Sequence, residues 1–238
     1  MLPGDVARFA DERVCVLQGS TWAAVSGIRV EETGLEELLS DVRGLVPAGK
    51  TVVWWLDPDA QHLHDPLLAL GLEEPRDRAP LLHALACTTP PAHGPDEVEV
   101  VRVATFDQFE AAAELSWDAF ATPPERRERQ RLHLRSEFEA AERAGVPATF
   151  LALLDDRPAG TGRSVYAHEG SFLIAGAVAP WARKRGVYRA LVRARWDDAV
   201  ARAAPALVTE AMPDTSYPIL RGLGFEEVCL IRRLEDVR

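Results

Sequence analysis

Residues Cys87 to Asp96 read Cys-Thr-Thr-Pro-Pro-Ala-His-Gly-Pro-Asp, and three prolines with a glycine exclude both a helix and an interior strand there. This linker cuts the 238-residue chain near residue 94, giving expected domains at 1–93 and 94–238. The whole is long enough to bury a real core. With 47% hydrophobic and 27% charged residues the composition is that of a soluble globular protein, and disorder is not expected.

Charge and cysteine content narrow the function classes. Lys and Arg number 27 against 37 Asp and Glu, so the net charge is 27 − 37 = −10. That balance argues against general affinity for nucleic-acid phosphates and is easier to reconcile with an amine or cationic small molecule. Cys15, Cys87 and Cys229 are odd in number, far apart and without Cys-x-x-Cys spacing, which indicates neither a disulfide framework nor a zinc knuckle. The start of the chain carries Asp5, Arg8, Asp11, Glu12 and Arg13 and lacks a signal peptide's apolar core. No stretch approaches about 18 uncharged apolar residues. A cytoplasmic protein with no membrane partner is expected.

After the linker, Val98 to Val103 reads as a strand. Phe106 to Phe120 reads as a helix with Phe109, Ala113, Trp117 and Phe120 on one face. Pro123 and Pro124 open a second helix running to about Ala144. Its apolar residues Leu134, Phe138 and Ala141 are sparse among Arg126, Arg127, Arg129, Arg131 and Arg135, so one face is wet. Two hairpins follow, through Asp155-Asp156-Arg157-Pro158 and His168-Glu169-Gly170. Gly186 to Ala203 carries Tyr188, Leu191, Val192, Trp196, Ala199, Val200 and Ala203 on one helical stripe. A short strand Ala206 to Thr209, a short helix Thr215 to Gly222 and a last strand Phe225 to Leu234 complete the order βααβββαβαβ.

The chain also resembles itself. Leu67-Leu68-Ala69-Leu70-Gly71-Leu72-Glu73-Glu74 matches Leu220-Arg221-Gly222-Leu223-Gly224-Phe225-Glu226-Glu227 as L-x-x-L-G-[LF]-E-E. Each copy follows a strand and a Pro-Asp pair, Pro58-Asp59 or Pro213-Asp214. A degenerate duplication of one αβ unit accounts for this, although helix ends of the form Leu-Gly plus acid also arise independently.

The chemistry-bearing segment is Val178 to Val192, where a strand ends and a long helix begins near Gly186. A helix N-terminus carries unpaired N–H groups and about half a positive charge, which repels cations. Here it gathers Arg183, Lys184, Arg185 and Arg189, with no acid until Asp197. A bound phosphate or pyrophosphate resolves that conflict better than a solvated basic surface does, and Gly186 lets the backbone approach it. There is no G-x-x-x-x-G-K-[ST]. Gly160-Thr161-Gly162 sits in a hairpin, so P-loop and dinucleotide readings are poor.

Val178-x-Pro180-x-x-Arg183-x-x-Gly186-x-Tyr188, with Leu223-Gly224-Phe225 and the element order, resembles the GNAT superfamily of N-acetyltransferases over residues 97–238. The resemblance implies a mixed, mostly antiparallel α/β (α+β) sheet flanked by helices, with a partial GNAT-like N-terminal half that lacks the cofactor loop. It implies a split between the fourth and fifth strands of this part that receives acetyl-CoA as acyl donor, with no metal. Ala177 and Val178 would hold the pantetheine, and Arg183, Lys184, Arg185, Gly186, Val187 and Tyr188 the pyrophosphate. An amine would then attack the thioester directly. Two departures stand out: Tyr188 replaces a small residue, its ring expected to pack inward, and Leu220 stands where the family carries a tyrosine acid.

Candidates for proton transfer are Glu210 first, then His168 and Glu169 in a turn, with Tyr217 one helical turn before Leu220. Glu114 is expected to face solvent. His62 and His64 lack further ligands at metal spacing. No G-x-S-x-G elbow appears. Trp54-Trp55 is expected in the core, one ring on each face of its strand. The arginine-rich helix is weighed as a solvated face against a substrate contact. The expected function is acetyl transfer to the amine of a small-molecule acceptor, with one acyl-CoA per chain; the alternative is a non-catalytic CoA-binding module. Monomer and homodimer both stay open.

Overall fold

The computed structural model of the chain describes residues 7–19, 22–76, 79–145 and 147–237. In order these form β1 (Ala7–Ala10), β2 (Cys15–Gln18), β3 (Trp22–Ser26), α1 (Leu35–Leu45), β4 (Thr51–Leu56), α2 (His64–Ala69), β5 (Leu81–Cys87), β6 (Val98–Arg102), α3 (Phe106–Ala119), α4 (Pro124–Ala144), β7 (Ala148–Leu154), β8 (Arg157–Tyr166), β9 (Ser171–Val178), α5 (Val187–Ala201), β10 (Leu207–Ala211), α6 (Ser216–Gly222) and β11 (Glu226–Asp236). From β6 onward this is the expected βααβββαβαβ, a mixed and mostly antiparallel sheet with flanking helices.

Contacts divide the chain into two compact units. One holds Ala86–Glu210 and Leu220–Glu226; the other holds the described residues up to Leu85, Ala211–Ile219 and the described residues from Glu227 on. In the second unit the strand order is β1-β2-β3-β4-β11-β5, and β11 runs antiparallel to β4. Leu234 of β11 is buried there with Trp54, Leu38 and Leu67. Trp55, on the opposite face from Trp54, lies 5.5 Å from the Arg233 guanidinium.

The first unit orders its strands β10-β9-β8-β7-β6. Helix α3 starts with a capping box: the Thr105 hydroxyl accepts from the Gln108 N–H, and the Gln108 side chain accepts from the Thr105 N–H. Gly145 at φ 68° ends α4. Phe120, expected on the apolar face of α3, is 55% exposed. It lies beyond the last helical residue, and Ala121 at φ 48° turns the chain away there.

Glycines let α5 lie close on the sheet. A Cβ on Gly160 would come within 2.7 Å of Val187, and one on Gly162 within 2.9 Å of Arg195. The linker packs on the same helix: a Cβ on Gly94 would meet Ala190 at 2.4 Å, and Arg193 donates to the Pro91 carbonyl at 3.0 Å.

The two L-x-x-L-G segments share one helix ending. Leu72 N–H donates to Leu67 O at 3.1 Å and Gly71 N–H to Leu68 O at 3.0 Å; Phe225 N–H donates to Leu220 O at 3.2 Å and Gly224 N–H to Arg221 O at 3.1 Å. Both glycines sit at φ 93°. This is the six-to-one and five-to-two cap pattern, with the apolar pairs Leu67/Leu72 and Leu220/Phe225 across it. The likeness extends upstream, because β2-β3-α1-β4-α2-β5 repeats the order β8-β9-α5-β10-α6-β11.

Candidate functional site

Strand β9 is paired on one edge and half open on the other. Against β10 it makes two register pairs, Leu207↔Ser171 and Val208↔Phe172. The Thr209 hydroxyl then donates to Leu173 O at 2.9 Å, and the strands part. Against β8 the register slips between Thr161↔Ala177 and Arg163↔Ile174, so that Ala175 and Gly176 oppose one residue. This is a bulge, with Ala175 at φ 52°.

The bulge reverses which residues present backbone groups to the open edge. Ser171 N–H reaches Ala206 O at 2.8 Å toward β10, whereas Ala179 N–H reaches Ala159 O at 2.9 Å toward β8. By strand alternation Ala177 therefore turns its N–H and C=O to β8, and Gly176 and Val178 turn theirs to the edge that β10 leaves uncovered.

Beyond Val178 the chain makes a 3-10 turn, Pro180–Ala182, and enters α5. Lys184 at φ 64° and Gly186 at φ 76° are both left-handed. Among the described residues the N–H groups of Lys184 through Arg189 donate to no backbone carbonyl, and the Ala190 N–H is the first to do so, to Gly186 O at 3.0 Å. Left-handed residues set among residues of negative φ before a helix turn N–H groups toward one concavity suited to an anion. Arg183, Lys184, Arg185 and Arg189 are exposed around it. Arg185 has the Asp155 carboxylate at 3.9 Å; Arg183, Lys184 and Arg189 form no ion pair among the described residues. A Cβ on Gly186 would strike Pro95 at 2.5 Å, so a substitution there disturbs the linker as well as the loop. Val187 is buried. The Tyr188 ring packs inward over Gly176, 2.9 Å from where its Cβ would be.

The proton-transfer candidates are not gathered together. Glu210 is half-buried on β10, past the last residue paired with β9. His168 and Glu169 are 95% and 88% exposed in the turn closed by Ala167 N–H to Gly170 O, at the paired end of β9. That end lies roughly 25 Å along the strand from Val178. Tyr217 belongs to the other unit. Its ring stacks on His83 with centroids 4.1 Å apart, and the His83 imidazole meets Glu227 at 2.8 Å. Leu220 is 1% exposed. Glu114 pairs with Arg131 on the outer side of α3.

Three features were not anticipated from sequence. His83 and Glu227 come from distant strands, and nothing in their spacing joins them. Arg195 is 1% exposed at the centre of the α5 stripe. Its Nε donates to Leu191 O at 3.0 Å while one terminal nitrogen has no partner; burial pushes its pKa down, and the Tyr188 hydroxyl offsets part of that. Tyr166 donates to Asp198, and burial with that bond pushes its pKa up to about 12. Among the described residues no group of three metal-capable side chains assembles, and no helix is long and apolar enough to cross a membrane.

No protein-family model and no curated protein matches the chain. Solved structures do. A GCN5-related N-acetyltransferase from Kribbella flavida is similar with TM-score 0.69 at 17% identity, over 98% of this chain and 90% of that one. A functionally unknown conserved protein from Staphylococcus epidermidis gives TM-score 0.70 at 12% identity, over 98% and 94%. A tandem GNAT protein from the clavulanic acid biosynthesis pathway gives 0.64 at 15%, over 99% and 84%. At such identities the likeness is one of fold, and it spans both halves of the chain.

Proposed function

On the premise that this chain folds as the GNAT N-acetyltransferases do, we propose that the unit Ala86–Glu210 binds acetyl-CoA and passes its acyl group to the amine of a small-molecule acceptor. One observation carries the reading: unpaired N–H groups at Lys184 to Arg189 lie directly after a strand whose outer edge is open at Gly176 and Val178. Among the described residues both are backbone donor sets without backbone partners, and an acyl-CoA supplies a pyrophosphate for one and an amide-bearing arm for the other. Bound there, the thioester is the activated acyl group and needs no covalent enzyme intermediate.

The chain's own part is positioning. The loop N–H groups and Arg183, Lys184 and Arg189 fix the tail, and Val178 fixes the arm. A backbone N–H at the open edge is suited to stabilise the oxygen that gains charge as the amine attacks. Glu210, beyond the paired part of β10, is the proposed base for the amine proton. Tyr217, which belongs to the other unit, and His168 and Glu169, solvated in their turn, are assigned no step. The overall charge of −10 suits an amine acceptor and not nucleic acid.

The N-terminal counterpart of the loop is read as inactive. There α1 begins among Glu31, Glu32, Glu36 and Glu37, which satisfy the helix dipole themselves and repel a phosphate. Strands β3 and β4 keep four register pairs, Trp22↔Thr51 to Val25↔Trp54, against two for β9 and β10. One acyl-CoA per chain is the consequence.

The burial of Leu220 in place of a tyrosine acid favours a second reading, a CoA-binding module without turnover. Incubation of the chain with acetyl-CoA and a panel of amines separates the two: acceptor-dependent release of free thiol, reduced in Glu210→Gln, supports transfer. Tight CoA binding with no thiol from any amine supports the second reading.

A further inference from the structure

At the bulge of β9, Ala175 and Gly176 oppose Gly162 of β8. A Cβ on Gly162 would lie 2.9 Å from a terminal nitrogen of Arg195. A Cβ on Gly176 would lie 2.9 Å from the Tyr188 ring and 3.3 Å from its hydroxyl. Two neighbouring glycines therefore make room for two large side chains of α5, which meet against the bulge.

Burying Arg195 there is costly. The residue is 1% exposed, its Nε donates to the Leu191 carbonyl at 3.0 Å, and one terminal nitrogen has no partner. The acids of the same helix are engaged elsewhere, Asp197 with Arg193 and Asp198 with Arg202 and Tyr166. The group that offsets part of the burial is the Tyr188 hydroxyl. An unbranched apolar side chain would fill the same space without that cost, so packing alone does not account for an arginine.

The place of Tyr188 does account for it. The residue lies in the first turn of α5, and its own N–H is among those that donate to no backbone carbonyl. Its ring is half-buried against a glycine, which has no side chain to hold it. Side chains on a helix lean toward the N-terminus, so a ring released from the bulge leans over the N–H groups of Lys184 to Arg189. Resting on the reading of that loop as an acyl-CoA site, we infer that Arg195 is a positioning residue. It holds the Tyr188 ring on the bulge and so keeps the anion-binding N–H groups uncovered, while touching neither cofactor nor acceptor.

The test is calorimetric titration with CoA, beside a melting curve, of the full chain and its variants. Arg195→Met removes the buried charge, so it should melt no lower than the wild type. It should nevertheless bind CoA about tenfold more weakly, the loss expected if the freed ring covers the loop for about nine-tenths of the time. A merely structural arginine predicts no such division. Adding Tyr188→Ala to Arg195→Met removes the ring, keeps the backbone N–H, and should regain most of the lost affinity. Arg195→Gln, polar and shorter, should lose affinity in the same way and serves if the methionine variant does not fold. Unchanged affinity in the folded variants, or a loss that Tyr188→Ala does not rescue, overturns the inference and leaves the CoA reading standing. A wild-type chain that binds no CoA removes the CoA reading instead. The crystal structure of Arg195→Met then decides the hold by itself: a ring turned away from Gly176 supports it, and a ring still on Gly176 overturns it.

Discussion

Lys184 holds a left-handed backbone, φ 64°, that costs a non-glycine residue about 1 kcal/mol or more. Nothing among the described residues pairs with its ammonium to repay that, so the proposed phosphate is the gain. Lys184→Gly should therefore act in two directions: thermal stability rises, by about 0.5–1 kcal/mol, while CoA affinity falls several-fold. A melting curve and a titration on one preparation check both. Tyr166 gives a pH signature. Its folded pKa of about 12 lies above the free value of 10.0, so the folded chain keeps a proton that the unfolded chain gives up. Stability is full below pH 10 and should fall between pH 10 and 12, and Tyr166→Phe should lose that part of the alkaline decline in denaturant melts. At this scale the sequence was legible where a residue obeyed its surroundings. The cations before α5 conflicted openly with a helix pole, and that conflict named the loop. Arg195 was illegible because a charged residue on an apolar stripe is taken as outward, and the glycine that makes room for it, Gly162, lies on another strand.

Among the long helices, α4 is the least secured. Of its 21 residues Leu134 alone is fully buried, and its ties to α3 include the Phe138 contacts with Phe106 and Phe109, the Arg127 bond to the Trp117 carbonyl at 3.0 Å, the Arg131 and Arg135 guanidinium groups over Trp117 and Phe106, and the ion pairs Arg127–Asp118 and Arg131–Glu114. Exposed pairs of that kind contribute little. Leu134→Ala should cost about 2–3 kcal/mol, and hydrogen exchange should speed up in α4 well before it does in β7 to β9. Strand and helix order was legible because period-2 and period-3.6 patterns alternate cleanly between turn residues. The parting of β9 from β10 was not, since it depends on a bulge at Ala175, a residue whose type gives no sign of a positive φ. The parity change that follows makes Gly176, rather than Ala177, the neighbour of Val178 on the open edge.

Over the whole molecule, the same order of elements is used twice with opposite charge at the decisive helix start. The shared L-x-x-L-G ending could be seen in the sequence because a left-handed cap demands glycine and its closing contact demands two apolar residues. The corresponding loop of the first copy, Gly27–Gly34, could not be seen, because Glu31 and Glu32 now occupy the place of the cations and erase the motif. The −10 charge is thus unevenly spent, with the cations kept where an anion is proposed to dock. A crystal structure of the chain with CoA is the most direct measurement. One CoA per chain, with its pyrophosphate accepting from the N–H groups of Lys184 to Arg189 and its arm against Val178, is the predicted result; a pyrophosphate lodged elsewhere, or a second CoA at the start of α1, would contradict it.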